Sequence, residues 1–362
     1  MGRTKKALIG AGAMVAGVAA AVAMERAAIR RARTGPDPER GTPLAERPGT
    51  ERRVVSFDGT GLAVNSTGPS SPDMSTLVFI HGFTLDMTAW HYQWKRFAKK
   101  YRCVLYDQRG HGRSDRAAGG DYSMEALGHD LHAVLEAEAP EDPVVLIGHS
   151  MGGMSIMSLS ATHPEEFGGR VRAVVLANTG AADLVKEALA GLGARLSGLI
   201  APYALRMRVS PDRVYRLRQR AIGGRGDLAF LVARITNFGP KASPSVIDHV
   251  VGLAANASPE VWTDLFGSLL EMDLGHALEH IRVPALVLAG DIDRLTPPSS
   301  SLALKRRLPD ARILVFEGTG HCAMLERHAD FNRALEGFVE ETTDAAETES
   351  DGRRRRAARA SG

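Results

Sequence analysis

The residues best able to do chemistry sit in three short, separated stretches. In Gly148-His149-Ser150-Met151-Gly152 a serine lies between an apolar β-branched run, Val144–Ile147, and a segment from Met154 to Thr162 with helical apolar spacing that stops at Pro164. A strand that turns straight into a helix passes through a strained conformation at the serine, so small residues are needed on both sides. The turn lifts the Ser150 hydroxyl clear of the sheet and aims the Met151 N–H, at the helix N-terminus, towards a developing oxyanion. Serine holds its proton at neutral pH and therefore needs a base, which in turn needs an acid to fix its tautomer. His321, in Gly318-Thr319-Gly320-His321, fits the base, and Asp291 or Asp293, after the run Pro284–Gly290, fits the acid. His81-Gly82-Phe83 offers the Phe83 N–H as a second oxyanion donor. His111, in the polar loop Asp107–Asp115, is expected to be a structural hydrogen-bonder rather than a base.

Elements able to position these groups follow from the pattern. Val54–Phe57 and Leu62–Val64, split by Asp58-Gly59-Thr60-Gly61, form a hairpin. Leu77–Ile80, Cys103–Tyr106, Val171–Ala177 and Arg312–Phe316 are further strands, separated by helix-like stretches such as Trp90–Lys100 and Tyr122–Glu138. That alternation predicts an α/β fold: a mainly parallel sheet with helices on both faces, closed by a terminal helix from Ala329 to Glu340. From about 182 to 273 the period-two pattern disappears and Leu-, Met- and Arg-rich helical segments take over, which predicts an inserted helical cap. Its arginines (Arg195, Arg206, Arg208, Arg213, Arg216, Arg218, Arg220) are expected to be solvated.

Composition narrows the field. A formal charge of +3 over 362 residues, with no basic stripe carrying interleaved aromatics, argues against nucleic acid as a partner. Cys103 and Cys322 make neither a disulfide framework nor a metal site, and no motif asks for a cofactor or metal. Ala7–Met24 is uncharged and flanked by basic residues, so residues 1–33 read as a membrane anchor or signal-like segment that places the protein at or beyond the cytoplasmic membrane. Residues 34–51, rich in Pro, Gly and charge, read as a linker; 52–340 as the folded domain; and 341–362, acidic then basic, as a disordered tail.

Four motifs in order, His81-Gly82-Phe83, Asp107–Asp115, Gly148–Gly153, and Gly290–Pro297 with Gly320-His321, resemble the α/β-hydrolase superfamily in its serine esterase and lipase branch. The resemblance covers roughly 52–340. It implies a nucleophile–acid–histidine set of Ser150, Asp293 and His321, selecting Asp293 over Asp291, with oxyanion donors at Phe83 and Met151. It implies hydrolysis of a small-molecule carboxylic ester without a cofactor. Carbon–carbon bond hydrolases and cofactor-free haloperoxidase-like relatives keep the same three residues. Hydrolase-fold binding proteins generally lack one of them.

Overall fold

The computed structural model of this protein describes Ala27 and residues 29–70, 74–182 and 226–343. Its strands are β1 (Thr50–Val55), β2 (Gly61–Thr67), β3 (Thr76–Ile80), β4 (Cys103–Tyr106), β5 (Val144–His149), β6 (Val171–Ala177), β7 (Ala285–Gly290) and β8 (Ala311–Phe316). They form one sheet in the order β1-β2-β4-β3-β5-β6-β7-β8. The hairpin β1–β2 and the pair β2–β4 are antiparallel; every pairing from β4 through β3 to β8 is parallel. The longer helices are α1 (His91–Phe97), α2 (Met124–Glu138), α3 (Met151–Thr162), α4 (Asp227–Asn237), α5 (Pro244–Asn256), α6 (Pro259–Glu271), α7 (Pro298–Arg307) and α8 (328–343).

Central strands are unbroken apolar runs because both faces are covered. Leu77 and Phe79 of β3, with Val145 and Ile147 of β5, pack with Trp94 and Phe97 of α1 and Phe331 and Leu335 of α8. The alternate residues Val78, Ile80, Val144 and Leu146 pack on the other face with Leu127, Leu131 and Val134 of α2 and Ile156 and Leu159 of α3. Helix α7 was not anticipated from the sequence: Leu304 is its one fully buried large apolar side chain, too few for a visible stripe.

The helical insertion leaves after β6 and returns before β7. Its ends are pinned by an isolated antiparallel bridge between Ala182 and Asp273 and by the Leu274 N–H donating to the Ala181 carbonyl at 2.7 Å. Helices α4 to α6 belong to it, while residues 183–225, and with them the seven arginines named above, lie outside the described residues.

The segment 34–51, read above as a linker, is instead packed against the domain, and β1 already begins at Thr50. Leu44 is buried. Just ahead of it, Arg33 pairs with Asp227 of α4 and Asp248 of α5, each at 3.1 Å. Asp37 accepts hydrogen bonds from the hydroxyls of Ser243 and Ser245 at the start of α5, Glu39 meets Tyr92 and His328, and Arg47 bridges Asp86 and Asp107 at 2.9 and 2.8 Å. A segment held by charges whose partners lie far along the chain carries no apolar period, so its sequence imitates a linker. Among the described residues no helix is long and apolar enough to cross a membrane. The run Ala7–Met24 and the tail 344–362 lie outside the described residues.

Candidate active site

The site forms where several parallel strands end. Asp293, three residues past β7, is buried and accepts five hydrogen bonds. Its Oδ1 takes the backbone N–H groups of Leu295 and Thr296 at 2.8 and 3.0 Å. Its Oδ2 takes the Asn178 amide at 2.9 Å, the Thr296 hydroxyl at 2.8 Å and His321 Nδ1 at 2.8 Å. Burial alone pushes this carboxyl up, but the facing His321 and the hydrogen bonds from His321, Asn178 and Thr296 outweigh it and hold the pKa at about 2. A carboxylate so held accepts the Nδ1–H of His321 and leaves Nε2 with its lone pair. Asp291, the alternative acid, turns away and accepts the Thr319 N–H at 3.1 Å.

Ser150 stands between β5 and α3 with φ 51° and ψ −117°, a conformation that L residues rarely adopt. The end of β6 and the loop after it hold it there: the Ser150 N–H donates to the Ala177 carbonyl at 2.9 Å, and the Thr179 hydroxyl donates to the Ser150 carbonyl at 2.7 Å. Gly152 is required by space, since a Cβ there would meet the Ile80 carbonyl oxygen at 2.1 Å. The His81-Gly82-Phe83 segment lies against the same turn, because a Cβ on Gly82 would stand 3.1 Å from the Ser150 Cβ. The chain thus brings the segments carrying Phe83 and Met151 together beside Ser150. His149 Nε2, one residue before the serine, meets the His321 carbonyl oxygen at 2.9 Å and joins the serine turn to the loop of the Asp293–His321 pair.

Two other histidines beside the site are structural. His81 donates from Nδ1 to the Gly82 carbonyl at 2.8 Å and accepts the Gln108 N–H at Nε2 at 2.9 Å. His111 accepts the Thr84 N–H at Nε2 and donates from Nδ1 to the Arg109 carbonyl, both at 3.1 Å. Burial lowers them to about 4 and about 3, so both stay neutral. The loop Asp107–Asp115 is an ion-pair hub: buried Arg109 grips Asp130 with two bonds of 2.6 and 2.7 Å and reaches Asp58 at 3.0 Å.

Three features of the site were not found from sequence: Asn178, Thr296 and the aromatic wall over Phe83. Asn178 carried a readable signal, a polar residue directly after a central parallel strand and of a type that tolerates its φ of 47°. Trp262 and Phe266 of α6 stack at 4.8 Å, and Phe83 lies 6.1 and 6.4 Å from them, so part-exposed rings from the cap and from the His-Gly-Phe loop face one another. Away from these strand ends, His132, Glu136 and Glu166 are, among the described residues, a cluster with metal-ligand spacing. Arg170 already pairs with both of its carboxylates.

Comparison with known proteins gives a consistent picture. The profile of the alpha/beta hydrolase family matches residues 77–334. The chain is 25% identical to 3-oxoadipate enol-lactonase 2 of Acinetobacter baylyi over 283 residues, 77% of this chain and 93% of that protein. It is 25% identical to the pimeloyl-[acyl-carrier protein] methyl ester esterase of Aeromonas hydrophila over 267 residues, 73% of this chain and 94% of that one. A thermophilic esterase from Thermogutta terrifontis superposes with a TM-score of 0.66 at 22% identity, covering 82% of this chain and all of the other (100%).

Proposed function

The chain belongs to the alpha/beta hydrolase family, and from that premise we propose that it is a serine hydrolase cleaving a carboxylic ester through an acyl-enzyme on Ser150. The observation that carries this reading is the buried Asp293–His321 pair, 2.8 Å apart, tied through His149 to the turn that holds Ser150. In this mechanism the Ser150 hydroxyl attacks the ester carbonyl while His321 Nε2 takes its proton. Asp293 stabilises the imidazolium, and the N–H groups of Phe83 and Met151 receive the oxyanion. The proton then passes from His321 to the leaving alcohol, and water, activated by the same imidazole, releases the acid.

The substrate we favour is neutral, with a small to medium acyl chain. Among the described residues, the rings of Phe83, Trp262 and Phe266 supply an apolar wall that suits an uncharged acyl group. The relatives act on bonds of this class, a methyl ester and an enol-lactone by their names. Labelling with a fluorophosphonate probe should be strong in the natural chain and absent in Ser150→Ala. A series of p-nitrophenyl esters should show kcat/KM rising a few-fold per methylene, from ~0.8 kcal/mol per buried CH2, until the pocket fills. Wild-type ester turnover by the Ala variant overturns the reading. Membrane attachment rests on Ala7–Met24 alone, and fractionation of the full chain beside one starting at residue 27 tests it.

A further inference from the structure

We propose that His149 is a positioning residue: its Nε2–H holds the main chain of His321, fixing where that imidazole stands relative to the neighbouring Ser150. The proposal rests on the serine-hydrolase reading and assigns work to a position that the G-x-S-x-G pattern leaves free.

The argument starts from the acceptor. A carbonyl oxygen only accepts, so the 2.9 Å contact between His149 Nε2 and the His321 oxygen requires the proton on Nε2. Nδ1 is then a bare acceptor, buried, with no hydrogen-bond partner among the described residues. His81 and His111 show the contrary arrangement, with the proton on Nδ1 and both nitrogens satisfied. An unmet buried nitrogen is a cost that an apolar side chain of similar volume would avoid, so packing alone does not account for an imidazole here.

Placement accounts for it. The His149 and His321 rings lie 4.8 Å apart between centroids, and Trp90 closes on His149 edge-on at 6.5 Å. Gly82 sits so close that a Cβ there would lie 2.7 Å from His149 Nδ1. One side chain therefore touches three loops: its own serine turn, the His321 loop and the loop leading to Phe83. On either side of the His321 carbonyl the loop is held by other partners, Asp291 on the Thr319 N–H, Glu326 on the Gly320 N–H and the Asn237 carbonyl on the Cys322 N–H, and His149 adds the hold on His321 itself. Asp293 fixes the imidazole at Nδ1, whereas His149 fixes the backbone from which that imidazole hangs. Burial lowers His149 to about 3, so the ring stays neutral in the working pH range and carries a single proton, the one that the His321 carbonyl requires on Nε2.

The test uses the full chain, fluorophosphonate labelling rates, p-nitrophenyl acetate kinetics and two variants. His149→Leu keeps the volume and loses the donor; His149→Gln keeps an N–H at the reach of Nε2. The expected result for the Leu variant is labelling and kcat slowed about ten-fold or more, the worth of one well-placed hydrogen bond, with KM nearly unchanged. The Gln variant should recover most of that loss, which a purely packing role would not produce. Histidine 15N spectra of the unmodified protein should give an Nε2–H tautomer for His149. That spectrum and the Gln variant decide the matter if the Leu variant does not fold. A folded Leu variant with wild-type rates, a Gln variant slowed as much as Leu, or an Nδ1–H tautomer would each overturn the positioning role alone. An unmodified chain that fails to label overturns the serine-hydrolase reading and this role with it.

Discussion

At the scale of the residue, the two aspartates after β7 show how position converts one chemistry into two roles. Asp293 takes five hydrogen bonds including one from His321, while Asp291 takes the Thr319 N–H. Asp293→Asn should therefore lower kcat by about 10⁴, since an amide favours the wrong imidazole tautomer, whereas Asp291→Asn should stay within about ten-fold. Steady-state kinetics on both variants give the ranking, and the reverse order would exchange their roles. The same carboxylate sets an acid limb of stability. Its pKa falls from 3.8 to about 2 on folding, so the folded state favours the ionised form. That contribution, on the order of 2 kcal/mol, is complete above about pH 5 and is lost as pH falls towards 2. Urea midpoints measured from pH 5 down to 2.5 should decline more steeply for the natural chain than for Asp293→Asn.

Among elements, the turn from β5 into α3 carries backbone strain. Ser150 holds φ 51° and ψ −117°, a region that glycine enters freely and that residues with a Cβ adopt only at a cost. Ser150→Gly should consequently be more stable than Ser150→Ala by ~1 kcal/mol, though neither labels with fluorophosphonate. An unstrained position gives the opposite ranking, because glycine loses more entropy on folding. Equal or reversed thermal midpoints would remove the strain argument. The glycines around the serine answer to space: β3 and α3 approach so closely that the Ile80 carbonyl occupies the place of a Cβ on Gly152.

For the whole molecule, the N-terminal segment is a strap that joins the cap helices to the sheet. Arg33 and Asp37 fasten α4 and α5, and Arg47 fastens the loop that follows β4. Burial raises the Asp107 carboxyl, nearby Asp86 raises it further, and the Arg47 guanidinium is the charge that opposes both. Arg47→Ala leaves a buried carboxylate without its cation and should destabilise the fold by ~3 kcal/mol or more near neutral pH. The deficit should shrink as pH falls towards 4, because a protonated Asp107 needs no countercharge. Denaturant unfolding at pH 7.5 and 4.5 measures both effects, and a loss below about 0.5 kcal/mol at pH 7.5 would make Arg47 a mere surface contact.

What the sequence determined alone is local. The strands from β3 to β7 were legible because runs such as Val144–Ile147 must be buried on both sides, and the serine turn because only glycine fits at positions 148 and 152. Asp293 and His321 were legible as polar residues directly after such strands. Tertiary structure decided the rest, for one physical reason: contacts between residues far apart in the chain leave no period in the sequence. The resemblance already put Asp293 ahead of Asp291, whereas the Asn178 amide that it accepts comes from 115 positions away. His149 became a link through a carbonyl 172 positions away, and residues 34–51 became a strap because Arg47 finds Asp107 across 60 positions. Pairings of that range follow from the path of the folded chain, which composition and spacing constrain only in outline.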